Sequence, residues 1–459
     1  MRAFLKLLLV LVILAAIGGV GAWWWAGRQP GPTVQFRQPD KFVGLTTELD
    51  LMVQAPQGQL SRLDVAVEQN GKSYPVYALN QPASGSAASA SDNFYVMRPI
   101  GKRAIPELQP GAARIVVHTA RPVLRGMRQI ETDATRDVQV RLERPMVAVL
   151  STFHYVNLGG AEFVVYRATP ADVDSGVKVG DRTYPGYPGS AVGITDPAVR
   201  VAFFALSYDQ DVKAPITVYA KDPAGNVDET PLDHMAFPKT FSKSTIPVDA
   251  WVQRVVSPII ANTPEMKLVD DPQDVVQNFV KINSDLRKIN AEQIADLAKK
   301  SAPRMMWHDA FQPLINAAIE AKFADFRTYT YAGKEIDRQT HLGFDLAVTQ
   351  HVPIKASQGG VVVHASYLGI YGNCVIIDHG LGVQTLYGHL SSIGVKVGDT
   401  VETGQQIGVS GQTGLAAGDH LHFTVLVNGT PVNPVEWWDP KWMKDRVFRK
   451  IMEAGGSVT

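Results

Sequence analysis

Near its C-terminus the chain reads Gly418-Asp419-His420-Leu421-His422-Phe423. In a β-strand successive side chains alternate faces, so His420 and His422 share one side while Leu421 and Phe423 point to the other. A strand that carries apolar residues on its core face and two imidazoles on the opposite face offers half of a metal site. The other half lies upstream. His341 and Asp345, in His341-Leu-Gly-Phe-Asp345, add a nitrogen and a carboxylate oxygen, and His389 in Tyr387-Gly-His389-Leu adds a further imidazole. Nitrogen and oxygen donors of this kind suit Zn²⁺, which at catalytic sites takes three protein ligands and keeps one position for water. Five candidates compete for three places. The surplus imidazoles match what hydrolysis requires, because an activated water still needs a base and a donor to the developing oxyanion.

At these residues the chain resembles the lysostaphin-type, or LytM-like, zinc endopeptidases, over about Phe326 to Trp438. The resemblance takes in His341-x-x-x-Asp345, Tyr-Gly-His389 and His420-Leu-His422, together with the connecting text Tyr371-Gly-Asn-Cys-Val-Ile-Ile-Asp-His-Gly380 and Val397-Gly-Asp-Thr-Val-Glu-Thr-Gly-Gln-Gln-Ile-Gly408. It implies one zinc per chain on His341, Asp345 and His422, with His389 and His420 as the catalytic pair. It also implies peptidoglycan as partner and peptide cross-links as substrate, either glycine bridges or D-alanyl–diaminopimelate bonds. An inner-membrane anchor facing a periplasm favours the second. No Glu stands at the base position of a His-Glu-x-x-His enzyme, so histidine is left to act as base.

The other histidines are read as structural. A lone His on a strand is ordinarily a half-buried packing residue, and His118, His154, His234, His308 and His351 receive no role on that ground. His364 and His379 lie inside the C-terminal domain but outside the motifs and are read the same way.

The first segment sets the compartment. Leu7 to Trp25 is uncharged and apolar, follows Arg2 and Lys6, and ends in Trp23-Trp24-Trp25. A bilayer core takes about 20 apolar residues, tryptophan favours the interface and positive residues remain cytoplasmic. The reading is a single-pass inner-membrane protein with its body in the periplasm. A cleaved signal peptide ending near Val20-Gly21-Ala22 is the alternative, but signal cores run only about 7–15 apolar residues. Cys374 is the single cysteine, so no intramolecular disulfide framework and no cysteine-based zinc site exist.

Composition is that of a globular body behind an anchor, with 45% hydrophobic residues, 19% charged residues and zero formal net charge. No basic excess points to nucleic acid. At about 150 residues per domain, 459 residues predict about three domains. Period-2 patterns at Leu49-Leu51-Val53, Leu63-Val65-Val67 and Val138-Val140-Leu142, with Asn70-Gly71 as a hairpin turn, read as strands. So do Phe163 to Tyr166, Val199 to Leu206 and Ile216 to Ala220, with a tight turn at 222–226 before the last strand. The fold class is therefore mainly β with a helical connector: a transmembrane helix in 1–26, immunoglobulin-like β-sandwich modules at 33–145 and 146–240, and helices at 248–302. A glycine-rich antiparallel β peptidase domain follows at 303–440, then a terminal helix at 441–459. Pro82 to Ser91 reads as a flexible loop. Asp249 is expected to cap one helix and Pro272 to open another, with Val275, Phe279, Ile282, Leu286 and Ile289 as its apolar stripe and a further helix over Ala291 to Lys300.

Two other classes compete. Val395 to Gly408 also resembles a biotinyl/lipoyl-type hammerhead, as in membrane-anchored periplasmic adaptors, although an adaptor has no use for the five-residue metal set. A catalytically inactive wall-binding activator would keep the fold but lose ligands, and none is lost here. The upstream modules are expected either to restrain the enzyme, with the helical connector or the second sandwich covering the groove, or only to space it from the membrane and bind protein regulators or glycan.

Overall fold

A computed structural model describes residues 2–79, 89–90, 92–264, 266, 274–347 and 349–457. The described structure is mainly β behind one N-terminal apolar helix, Arg2–Ala26. That helix exposes its apolar side chains, Leu7 to Leu14 among them, and is long and apolar enough to cross a membrane or to serve as a signal sequence. Its C-terminal tryptophans carry arginines on their faces. Arg28 stands 3.4 Å from the Trp24 ring centroid and Arg128 stands 5.1 Å from that of Trp23, a cation–π pairing suited to a polar–apolar boundary.

The chain divides into two compact units. The first comprises Met1–Pro145 with Lys221–Val227. Two antiparallel hairpin systems build it: Thr33–Gln38, Glu48–Gln54 and Asn93–Pro99 in one sheet, and Arg62–Gln69, Lys72–Ala78, Gly111–Val123 and Arg128–Val140 in the other. Leu49, Leu51 and Val53 of the first sheet share one core with Leu63, Val65, Val67, Ile115 and Val117 of the second. The alternation in sequence is the alternation in burial, because a pleated strand turns every second residue inward. The 222–226 segment closes as a turn, Gly225 N–H to Asp222 O at 2.9 Å. It precedes three strands rather than one: Val227–Pro231, His234–Phe237 and Lys243–Pro247. The expected flexible loop at 82–91 falls almost wholly outside the described residues.

The second unit comprises Met146–Ala220 and Asp228–Thr459. Its largest sheet runs, in spatial order, Ala318–Ala321, Phe344–Ala347, Leu421–Val427, Val383–Leu390, Asn373–Gly380, Gly360–Tyr367 and Thr400–Val401. One continuous core joins the strands of 146–220 to that sheet. Phe203 packs against Phe163 (4.7 Å between centroids) and against Trp437 (5.6 Å), and Trp307 lies 6.0 Å from both Phe203 and Trp437. Beneath it runs a fully buried polar seam. Lys450 Nζ donates to Glu162 Oε1 and to Phe163 O, each at 2.8 Å, and Glu436 accepts from Asn157 Nδ2 and the Ala161 amide at 2.7 and 2.9 Å. A buried ion pair of this kind depends on further hydrogen bonds, which Glu162 receives from the Tyr155 and Phe163 amides and Lys450 gives to Phe163 O.

The connector departs from the sequence reading in two places. Val252–Asn262 begins three residues after Asp249, whose carboxylate instead accepts from the Ala332 amide at 2.7 Å; the cap position is Trp251 and has no side-chain cap. Pro272 lies outside the described residues, and Asp274 caps the helix through the Gln277 amide. From Val275 the helix is continuous to Ala298, but Ile282–Leu286 forms a π turn. The extra residue per turn rotates the apolar stripe by one position. Phe279, Ile282 and Leu286 are buried as expected, after which Asn290, Ile294 and Ala298 take the inner face and Ile289 is 38% exposed.

Two buried histidines set an acid limit on the second unit. Burial pushes His154 and His379 each down to about 4. His379 is wholly enclosed, with Nδ1–H donating to Gly359 O (2.7 Å) and Nε2 facing Thr385 Oγ1 (2.8 Å). A histidine whose folded pKa lies below its unfolded value contributes stability that is complete above about pH 6.5 and lost as pH falls toward 4, on the order of 3 kcal/mol each. Urea unfolding of the full-length protein in detergent, followed by tryptophan fluorescence at pH 7 and pH 4.5, should show this loss. His379→Gln should make the pH dependence measurably shallower; an unchanged slope would show that His379 does not contribute to it.

Candidate metal centre

His341 ends the strand Lys334–His341, which pairs with Asp325–Tyr331. Leu342 and Gly343 turn the chain into Phe344–Ala347, where Asp345 stands directly across from His422 on the neighbouring strand Leu421–Val427. Gly343 is required at that turn by close approach. A Cβ there would come within 2.7 Å of the His422 ring and 2.6 Å of Thr424 Oγ1. His389 lies on Val383–Leu390, beyond Gly388, which pairs with His422. Its φ of 62° places a non-glycine residue in the left-handed region, a local strain that the surrounding ladder holds.

All five motif residues are brought together and buried. His341 Nε2 and His422 Nδ1 each lie 2.9 Å from Asp345 Oδ1 and 3.1 Å from each other. These three residues offer ligand atoms within 4.8 Å of one another. His420 Nε2 stands 3.5 Å from the same oxygen, and the His389 ring is centred 4.8 Å from that of His420 and 5.7 Å from that of His422.

Each imidazole has its outer nitrogen fixed as a donor. His341 Nδ1–H donates to Lys322 O (3.1 Å), His389 Nδ1–H to Thr413 O (2.8 Å) and His420 Nδ1–H to Gly418 O (2.9 Å). Thr424 Oγ1 gives its proton to Leu342 O (3.0 Å), so at 3.1 Å it accepts from His422 Nε2–H. Pinning one nitrogen leaves the other as a lone pair facing inward, the arrangement that orients metal-bound histidines. Converging lone pairs and a carboxylate oxygen repel one another unless a cation sits among them, so the donor set fits a metal ion.

Charges around the centre follow from burial and from Asp345. Burial opposes ionisation of Asp345, yet the adjoining His341, His420 and His422 hold its carboxyl well below the usual range. Burial pushes His422 down to about 4 and His389 well below the ordinary histidine value, with the neighbouring imidazoles acting in the same direction on His389. At His420 the bond to Asp345 outweighs burial and raises the pKa.

Sequence reading missed the residues that complete the centre. Arg327 Nη2 donates to Asp345 Oδ2 at 2.9 Å and its Nε lies 3.3 Å from Asp325 Oδ2, so the carboxylate is gripped from behind. Strand periodicity was the available signal, since Asp325, Arg327 and Tyr329 fall on one face. A groove of about 250 Å³ opens over the centre, walled by Trp251, Arg287, Glu320, Tyr329 and Tyr371 among others. Arg254 on the helix Val252–Asn262 also donates to Ala417 O, beside the Gly418 that holds His420. The histidines read as structural do lie outside the centre: His118 pairs with Asp133, His154 bonds Ser151 and Asp233 O, His234 bonds Leu232 O and His364 bonds Ser366 O.

Residues 339–434 match the model of peptidase family M23. A DD-carboxypeptidase/endopeptidase, Mpg, of Neisseria meningitidis serogroup B is 46% identical over 95 residues, 21% of this chain and 22% of that protein. The peptidoglycan DD-endopeptidase ShyA of Vibrio cholerae is 45% identical over 96 residues, 21% of this chain and 22% of that protein. The catalytic domain of the antimicrobial peptidase lysostaphin from Staphylococcus simulans is 28% identical, with a TM-score of 0.21, covering 31% of this chain and 96% of that domain. The match thus spans about a fifth of the length of these curated relatives. Over residues 339–434, with all five motif residues inside that span, the chain carries a peptidase family M23 domain.

Proposed function

We propose that the protein is a zinc-dependent endopeptidase that cleaves D-alanyl–diaminopimelate cross-links of peptidoglycan, anchored in the inner membrane by Arg2–Ala26 with its body in the periplasm. The observation that carries this reading is the convergence of His341 Nε2, Asp345 Oδ1 and His422 Nδ1, with two further imidazoles beside them. The names of the relatives, peptidoglycan DD-endopeptidase among them, support the substrate. The relatives match only the C-terminal domain, so 33–145 is proposed as a wall-facing spacer or regulatory module, 146–240, whose strands share a core with the peptidase sheet, as a support for that domain, and 248–302 as the connector.

His341, Asp345 and His422 would hold the ion. Bound zinc supplies Lewis acidity, which acidifies a water and polarises the scissile carbonyl. Two neutral imidazoles and one carboxylate leave that charge only partly neutralised. His389 and His420 then divide the remaining work. One accepts the water proton, and the other donates to the oxyanion or to the leaving amine. Their carbonyl partners, Thr413 O and Gly418 O, keep each ring aimed at the centre through the transfer. Arg327 donates to Asp345 Oδ2 and would leave Oδ1 to face the ion.

Elemental analysis paired with an activity assay separates the roles. His422→Ala should lose both metal and activity. His389→Ala should keep most of the metal while activity falls by about 10²-fold or more, the scale of a lost general acid or base. Equal metal loss in the two variants would overturn the division into ligands and catalytic pair.

Topology is tested independently of chemistry. A reporter active only in the periplasm, fused after Thr459, should give signal in the membrane fraction. Signal in the soluble fraction would mean that the apolar helix is a cleaved leader, and a cytoplasmic signal would contradict the whole reading.

A further inference from the structure

The groove over the metal centre holds a second arginine that the hydrolytic chemistry does not use. Arg287 reaches its wall from the connector, at the point where the π turn Ile282–Leu286 passes into the helix Arg287–Ala298. Its Nε donates to Asn283 O at 3.0 Å and its Nη2 to Asn283 Oδ1 at 2.7 Å. Asn283 is itself buried and donates through Nδ2 to Asp337 Oδ2 at 2.7 Å. The guanidinium is therefore fixed in place by two bonds from one face. A guanidinium has five N–H donors, so both on Nη1 and one on Nη2 remain.

Among the described residues no carboxylate stands within ion-pair distance of Arg287. Arg327, the other arginine of the groove, is committed to Asp325 and Asp345. Arg287 is close enough to the buried Tyr371 for its charge to oppose the rise that burial imposes on that phenol, and the Tyr371 ring lies 5.4 Å from that of His422. A half-buried, preorganised cation with free donors, beside a metal centre and without an anionic partner, is a binding site for a planar anion.

We propose that Arg287 is a specificity-determining residue that binds a carboxylate carried by the substrate next to the scissile bond. This rests on the peptidase reading above and deepens it. In a D-alanyl–diaminopimelate cross-link the carbon bearing the scissile nitrogen keeps a free carboxylate, whereas a bond within a glycine bridge has none on that carbon. Arg287 thus selects the first chemistry over the second, and the connector is part of the substrate site.

The test uses the full-length protein in detergent and two probes: a D-alanyl–diaminopimelate cross-linked peptide dimer with that carboxylate free, and the same dimer with it converted to carboxamide. Wild type should prefer the acid by about tenfold in KM, the lower end of what a charge-assisted hydrogen bond supplies. Arg287→Gln should bring the preference close to one, and Arg287→Lys should keep part of it. Wild type cleaving acid and amide with equal KM, or Arg287→Gln retaining the preference, would overturn the proposal. If Arg287→Gln does not fold, Arg287→Lys is compared instead: a reduced preference for the acid supports the proposal and an unchanged one overturns it. Should wild type cut neither dimer, the peptidase reading fails, and calorimetric binding of the two dimers still decides the role of Arg287: about tenfold tighter binding of the acid supports it and equal binding overturns it.

Discussion

The carboxylate of Asp345 is the point on which the rest of the site depends. One oxygen lies between the ring nitrogens of His341 and His422, and the other is held by Arg327. A buried carboxylate is costly unless its charge is met on every side. Here the demand on Asp345, in Phe344–Ala347, is met by groups from three other strands: Asp325–Tyr331, Lys334–His341 and Leu421–Val427. Any slip in register between them would separate the groups, because a one-residue shift turns each side chain to the opposite face.

The same economy governs the imidazoles. Each is held from outside by a carbonyl or hydroxyl, so what the site requires of the fold is placement of Lys322 O, Thr413 O, Gly418 O and Thr424 Oγ1 as much as placement of the rings. Two of these acceptors belong to the segment between the strands Gln406–Val409 and Leu421–Val427, which Arg254 ties to the connector. The helices upstream of the M23 domain therefore bear on its chemistry through backbone placement, and through Arg287 on its groove.

His420 and His422 were legible together because strand alternation puts them on one face, and His341, Asp345 and His389 joined them through motifs that resemble the lysostaphin-type peptidases. The mainly β character and the apolar first helix were legible too, since period and length are local signals. Arg327 and Arg287 were not. Their places follow from pairings and packing between distant segments: Lys243–Pro247 lies parallel to Asp325–Tyr331, and Asn283 reaches Asp337 across 54 residues. The π turn at Ile282–Leu286 was equally hidden, and beyond it Asn290 rather than Ile289 takes the inner face. Asp249 offered a sound capping signal that a tertiary bond to Ala332 overrode. Nor does composition announce that Lys450 is buried, because its partner Glu162 lies 288 residues away.

The most direct measurement is digestion of purified, diaminopimelate-cross-linked peptidoglycan by the full-length protein. Muropeptide analysis after digestion should show dimers converted to monomers, with a new D-alanyl carboxylate and a new diaminopimelate amine. The conversion should stop with a chelator and return with added zinc. Intact dimers, or cleavage that persists without metal, would contradict the proposed zinc-dependent endopeptidase.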